Sequence, residues 1–299
     1  MAVQNKPAAE IDITVDMVRE LLTEQMPDLA HLDIVSGPCG WDNCLFRVGS
    51  SFAARLPRRQ MGAMLVEAEQ RWLPLLAPSL PLPIAAPVRS GVANQRFPWS
   101  WSLVPWFEGD IAARAELSDP GEGAQTIGAF CAALHTPAPP DAPVNPYRGI
   151  ALEDRTEAFA NYRPQVADVV DLDAVDRAWQ RCVEAPAFEG EPVWLHGDLH
   201  PGNVIVRDGN VAGVIDFGDI GKGDRATDLA IAFMMFGPTE RSRFRAAAGM
   251  FELVDDATWM RARGWALTLG IMHLVHSADG PHHETIGRRA INAVLEELR

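Results

Sequence analysis

Between His196 and Asp219 the chain groups residues whose types and spacing suit the transfer of a phosphoryl group. Asp198 stands five residues before Asn203, and Asp216-Phe217-Gly218 follows after the polar turn Asp208-Gly209-Asn210. Moving the γ-phosphate of a nucleotide to a hydroxyl requires oxygen ligands for Mg²⁺ at the phosphates and a base or orienting group for the acceptor. Asn203 and Asp216 can supply the ligands, and Asp198 can receive the hydroxyl proton. A lone aspartate in a loop is more often a turn former or a helix cap, and an Asp-Phe-Gly triplet alone is short. The ordered combination is the informative signal.

The flanking apolar runs, Val204 to Val206 and Val211 to Ile215, bracket the turn and predict a β-hairpin. A turn centred near Gly209 brings Asn203 and Asp216 almost opposite each other at its open end, where facing residues stand about 5 Å apart. Elsewhere the texture divides the chain. Thr14 caps a predicted amphipathic helix that Pro27 ends, and glycine-punctuated apolar runs from Asp33 to Arg58 predict a small antiparallel sheet. A second helix is predicted over 61–73, then an extended Leu80-Pro81-Leu82-Pro83 and a buried strand over 101–107. Asp119-Pro120 opens a mainly helical region, with helices expected around 152–184, 225–236, 239–253, 257–276 and 283–298. The reading is an α+β chain of two lobes, residues 1–107 and 108–299, hinged at about 103–110, with a ligand cleft between them.

The string Leu195-His-Gly-Asp-Leu-His-Pro-Gly-Asn-Val-Ile-Val, followed by Val-Ile-Asp-Phe-Gly-Asp, resembles the signature of the aminoglycoside phosphotransferase family. Gly40-Trp-Asp-Asn43, Glu69-Gln-Arg-Trp-Leu-Pro74, Pro98-Trp-Ser-Trp-Ser102 and Gly223-Asp-Arg-Ala-Thr-Asp-Leu-Ala230 resemble it in the same order, covering most of the chain. The resemblance implies a protein-kinase-like bilobal fold, with Asp198 as catalytic base or hydroxyl-orienting residue and Asn203 and Asp216 as magnesium ligands. It implies a hinge around Leu103 to Phe107, with Val104, Trp106 and Phe107 offering backbone groups to the base of ATP or GTP. It also suggests that Asp228 braces the catalytic loop, although an acidic residue favoured by a helix N-terminus reads equally well.

Family members usually carry a lysine on the third strand. This chain has only Lys6 and Lys222, both outside that region, and Arg55 occupies the matching place. Arginine keeps the charge and adds a planar fork, so Arg55 is read as a phosphate ligand. Helical spacing selects its partner: Glu69 falls on the inward stripe marked by Leu65, Ala68 and Trp72, and Glu67 points away. A carboxylate on an apolar face needs a counter-ion. Gly37 and Gly40 suggest a loop over the phosphates without forming GxGxxG.

Composition narrows the rest. A net charge of -14 removes the basic face that nucleic-acid binding requires. The 47% hydrophobic content holds no apolar run of membrane-spanning length, and the polar start of the chain lacks a secretory h-region, which points to the cytoplasm. Cys39, Cys44, Cys131 and Cys182 show no zinc-ligand rhythm and are read as buried reduced thiols. A protein kinase is disfavoured because few residues separate Gly218 from the helix near Ala226. A metal hydrolase built on His196, Asp198 and His200, with His273, His276, His282 and His283 as further ligands, leaves the hairpin motif unexplained; the late histidines read better as surface or helix-face residues. A non-catalytic nucleotide-binding protein is supported only by Arg55. For the acceptor, the resemblance implies an aminoglycoside-type antibiotic, a macrolide or an endogenous hydroxylated metabolite. Glu252, Asp255, Asp256, Asp279 and Glu284 suit a polycationic aminosugar or an ordinary solvated face.

Overall fold

The computed structural model describes residues 6–249 and 254–299. Helix α1 (Val15–Gln25) starts where the Thr14 hydroxyl accepts the Met17 amide and stops just before Pro27. Its buried Val18, Leu21 and Leu22 pack on a five-stranded antiparallel sheet. The strands are β1 (Ile34–Cys39), β2 (Asn43–Val48), β3 (Phe52–Pro57), β4 (Arg89–Gly91) and β5 (Trp101–Pro105), in spatial order β1-β2-β3-β5-β4. Helix α2 (Gln60–Leu76) lies between β3 and β4 and turns Val66, Glu69 and Leu73 inward; Glu67 is exposed, and Leu65 and Ala68 are half-buried at the edge of the stripe.

The second part begins with β6 (Asp110–Ile111) and α3 (Pro120–Leu134), whose first turn is capped by the Asp119 carboxylate. The predicted 152–184 helix is interrupted: a 3₁₀ turn (Leu152–Arg155) precedes α4 (Thr156–Tyr162), and a second, Arg163–Val166 with Pro164 in it, separates α4 from α5 (Leu172–Val183). Strands β7 (Val193–Leu195), β8 (Val204–Arg207), β9 (Asn210–Val214) and β10 (Gly221–Gly223) carry the motif region. The helices α6 (Ala226–Leu229), α7 (Ile231–Met235), α8 (Pro238–Ala248), α9 (Asp256–Val275) and α10 (Pro281–Glu297) complete the chain. The end of the predicted 239–253 helix, Glu252 included, lies outside the described residues.

Two hydrophobic clusters hold these parts. One gathers α1 and the sheet around Phe46, Phe97, Trp101 and Leu103. The other surrounds α9, with Trp265 fully buried, and draws in Trp72, Leu73, Leu82 and Ile84 from before residue 107. The end of α2 therefore belongs to the helical core by packing, which fixes its start against the sheet and its end against the catalytic half. No helix among the described residues is long and apolar enough to cross a membrane.

One expectation about cysteine is overturned. Cys39 and Cys44 are joined by a disulfide, because the β1–β2 turn sets them directly opposite each other in register. A search for zinc-like spacing misses such a pair. Cys131 and Cys182 are free and buried.

Candidate active site

Strand β7 delivers its chain into a loop that is tied down at every step. The Asp228 carboxylate is fully buried and accepts the amides of His196 at 2.8 Å and Gly197 at 2.9 Å, while His135 Nε2 sits 3.1 Å from it. That geometry decides between the two readings of Asp228 in favour of a brace. Gly197 adopts φ +85°, and a side chain there would meet the Asp219 carbonyl at 2.2 Å. His196 is committed to backbone: its Nδ1 accepts the Asp198 amide at 3.2 Å and its Nε2 donates to the Ile215 carbonyl at 3.0 Å. His200 Nδ1 likewise accepts the Gly202 amide at 3.0 Å. Alternating histidines converging on one metal are thus replaced by two imidazoles that shape a loop.

The loop presents Asp198 with about a third of its side chain exposed, Oδ1 lying 3.3 Å from Arg148 Nη2 and Oδ2 3.5 Å from His200 Nε2. Burial pushes this carboxyl up, but the His200 hydrogen bond and the charges of His200, Arg148 and His273 outweigh it and hold Asp198 well below the usual carboxylate range. Asp198 is ionised and able to accept a proton or orient a hydroxyl. Neighbouring Asp219 moves the other way, raised by burial and by the Asp198 charge, and accepts the Asn145 amide at 2.6 Å.

Strands β8 and β9 form the expected hairpin, with a bulge at Ala212 that shifts the register. Asn203 therefore pairs with Ile215, whose amide donates to the Asn203 carbonyl at 2.9 Å, and Asp216 follows one residue beyond. Asp216 takes φ +61°, a conformation uncommon for a residue with a side chain. The Asn203 Nδ2 donates to the Asp198 carbonyl at 2.9 Å, which leaves its Oδ1 as a ligand. With the Asp216 carboxylate, this is an all-oxygen donor set of the kind a hard divalent cation takes.

Arg55 and Glu69 form a buried ion pair through Nη1, as the helix spacing predicts, and Arg55 Nη2 reaches Asp216 Oδ1 at 2.7 Å. Burial works against the guanidinium charge, but the Glu69 and Asp216 carboxylates raise its pKa overall. The fork spans both carboxylates at once, which the single ammonium of a lysine does less well. Lys6 and Lys222 instead donate to backbone carbonyls, Cys39 O for the first and Pro139 O and Pro140 O for the second.

Three expected nucleotide contacts change in detail. The Gly40 amide donates to Asn43 O at 2.7 Å, and its carbonyl accepts Arg58 at 3.1 Å, so the tight turn itself consumes the groups expected to face a phosphate. The Trp106 amide is likewise taken, by Ser51 O at 2.9 Å, and Val104 lies in register with Ala53. Strand alternation turns the backbone of Val104 toward β3 and that of Pro105 away from it, leaving the Pro105 carbonyl and the Phe107 amide as the outward-facing pair at the hinge. Trp41, at the tip of the β1–β2 turn, packs edge-on against His276 with ring centroids 5.2 Å apart.

Other neighbours of Asp198 were invisible in the motif. His273 packs against His200 with centroids 4.8 Å apart, and its Nδ1 lies 2.7 Å from that of His283, which stacks on His282. All three lie on helices α9 and α10, as the helix-face reading expects, and are half-buried beside the site rather than on open surface. Burial, then the neighbouring imidazole charges, depresses them, His273 strongly and His283 to about 4. Arg148 comes from the loop before α4, and nothing in its local sequence marks it. Of the acidic residues expected to attract a cation, Asp255 caps α9, and Asp256 and Glu284 pair with Arg245 and Arg288, whereas Asp279 is buried beside His276 with neither carboxylate oxygen hydrogen-bonded among the described residues.

Residues 36–265 match the model of the phosphotransferase enzyme family. The chain belongs to that family. An aminoglycoside 3'-phosphotransferase of Escherichia coli is 28% identical over 147 residues, 46% of this chain and 53% of the relative, and one of Salmonella typhimurium matches equally. The matched stretch thus spans about half the length of these curated relatives. Among solved structures, the GDP complex of aminoglycoside 2'-phosphotransferase-IIIa superposes with a TM-score of 0.67 at 19% identity, covering 94% of this chain and 98% of that one. A macrolide 2'-phosphotransferase from Brachybacterium faecium gives a TM-score of 0.62 at 17% identity, with 93% and 97% covered. The kinase-like fold, a small antiparallel lobe followed by a helical one, is common to this phosphotransferase-family chain and both structures. His273, His282 and His283 lie beyond the matched segment.

Proposed function

We propose that this chain transfers the γ-phosphate of ATP or GTP to a hydroxyl of a small molecule. The observation that carries the reading is the meeting of Asp198, Asn203 and Asp216 at one edge of the β8–β9 hairpin, with the Arg55–Glu69 pair bound to the same Asp216. The acceptor hydroxyl gives its proton to Asp198 as its oxygen bonds to the γ-phosphorus, and the bond from that phosphorus to the β-phosphate oxygen breaks, releasing the nucleoside diphosphate. Asn203 Oδ1 and the Asp216 carboxylate would hold Mg²⁺, which neutralises charge building on the phosphates. Arg55 steers Asp216 and adds positive charge to the phosphate side. Pro105 and Phe107 offer one carbonyl and one amide to the base. Residues 1–107 bind nucleotide in this reading, and 108–299 supply the catalytic loop and the acceptor wall.

A peptide acceptor fits poorly: β10 pairs with β7 directly after Asp216-Phe217-Gly218, and α6 follows at Ala226, which leaves no platform for an extended chain. The relatives' names make aminoglycosides and macrolides the first acceptors to assay, with a role in antibiotic resistance if they are turned over. The basic and neutral groups around Asp198 favour a different acceptor charge, argued below. A coupled assay of diphosphate release, run with ATP and with GTP against aminoglycosides, macrolides and hydroxylated metabolites, tests the reaction type. Tight binding of Mg-nucleotide without turnover of any acceptor would instead support a non-catalytic nucleotide-binding protein.

A further inference from the structure

Arg155 ends the 3₁₀ turn Leu152–Arg155 and is only 6% exposed. Among the described residues no carboxylate reaches it. Its Nη2 contacts the Met272 thioether at 3.9 Å, and its Nε is buried without a partner. Arg148, with an 11% exposed side chain, has Asp198 as its one ion-pair partner among the described residues, its Nη1 donates to the Tyr147 carbonyl at 3.4 Å, and its Nε is also buried and unpartnered. Burial, then the charge of Arg148, lowers the pKa of Arg155. Arg148 reaches Asp198 directly, and Arg155 lies near enough to Arg148 to feel its charge; on the same helix as the Met272 that Arg155 touches, His273 packs on His200, the neighbour of Asp198.

A buried guanidinium without a counter-ion is costly, and a second beside it adds repulsion. The neighbouring carboxylates do not relieve this, since Asp198 is shared with His200 and Asp219 is turned to Asn145. Such a pair is the arrangement of a site completed by its ligand.

We propose that the acceptor carries an oxyanion, a carboxylate or a phosphate ester, beside the hydroxyl that is phosphorylated, and that Arg155 together with Arg148 holds it. The proposal rests on the phosphotransferase reading above. A guanidinium fork matches the two-oxygen edge of either group. Binding gives Arg148 a second anion, so its Nη2 turns from Asp198 Oδ1 to the acceptor. The released carboxylate oxygen takes the hydroxyl proton while the hydroxyl oxygen bonds to the γ-phosphorus and the β-phosphate oxygen departs. An acceptor without an oxyanion leaves Asp198 held by Arg148, so the enzyme selects its acceptor by charge before it reads its shape.

Titration calorimetry on the full chain, saturated with Mg²⁺ and a non-hydrolysable ATP analogue, tests this. Glycerate and glycerol 3-phosphate supply the two sources of oxyanion, glycerol is the neutral probe, and kanamycin the cationic one. At least one anion is expected to bind saturably while glycerol and kanamycin do not, and which anion binds identifies the source. Arg155→Gln is expected to weaken that anion about 10- to 100-fold, with partial recovery in Arg155→Lys. Kanamycin binding without anion binding, no anion binding at all, or an anion held equally by wild type and Arg155→Gln overturns the proposal. Should Arg155→Gln fail to fold by circular dichroism, the wild-type contrast between the anions and glycerol decides alone. Failure of the ATP analogue to bind is a separate result, which sinks the phosphotransferase reading before any acceptor is added.

Discussion

The two sides of the Asp198 carboxylate are built on opposite principles. On the phosphate side, each ionised group has its counterpart within the chain: Glu69 and Asp216 share the Arg55 fork, and Asp228 is saturated by two loop amides and His135. On the proposed acceptor side, no carboxylate among the described residues pairs with Arg155, Arg148 pairs there with the Asp198 carboxylate alone, and burial disfavours the charged forms of His273 and His283. A nucleotide is the same in every turnover and can be met by a finished, pre-organised frame. Incomplete charges are suited to selecting a ligand, because only a complementary one relieves them.

The contrast can be broken first at its centre. Asp198→Ala should lower kcat by about 10²- to 10⁴-fold while leaving nucleotide affinity within a few-fold of wild type; full turnover in that variant would remove Asp198 from the chemistry. Asp228→Ala comes next. It strands two buried amides, and a loss of about 2–4 kcal/mol in unfolding free energy by denaturant titration, with a large fall in kcat, is the expected outcome. An unchanged melting curve would show that the loop is held by something else. Arg55→Lys keeps the charge but gives up the fork, so the KM for ATP should rise about tenfold with a smaller change in kcat. Equal KM values would mean that charge alone matters on the phosphate side.

The smallest effect sharpens the acceptor side. The folded state depresses His273 and His283, the latter to about 4 against 6.5 in the unfolded chain. The stability they contribute is present above pH 6.5, and it is lost as the pH falls toward 4, because the unfolded state takes up protons first. Thermal melts between those values should show a falling Tm that is flatter in His283→Asn. Identical slopes would mean that other groups carry the acid response.

The same contrast explains what could be read before any coordinates. The phosphate side was legible because it is local. Asp198 to Asn203 is one loop, the hairpin follows from its turn residues, and Glu69 follows from a helical stripe of which it is the charged member. The register was less legible, since a bulge at Ala212 obeys packing and leaves no distinctive residue. Gly40 and Trp106 were misjudged in detail for a related reason: a sequence names the residue at a turn or hinge, and only strand alternation tells which amide is already spent. Asp228 was ambiguous because a capping charge and a loop brace use the same residue at the same place. The proposed acceptor wall was scarcely legible: its histidines surfaced only in the rejected metal-hydrolase reading, and Arg148 and Arg155, from a loop and the 3₁₀ turn after it, meet a helix more than a hundred residues later with no periodicity linking them.

The contact between Trp41 and His276 joins the tip of the β1–β2 turn to the C-terminal end of α9. In the proposed function, movement of either element would be felt by the other, so the arrival of one substrate would alter the reception of the second. In a steady-state experiment such mechanical linkage appears as a preferred order of addition, with the diphosphate product inhibiting competitively against one substrate and non-competitively against the other. In that reading an aromatic edge of this kind would make the closing of the proposed cleft a shared event, and the timing of the two ligands a property of the fold.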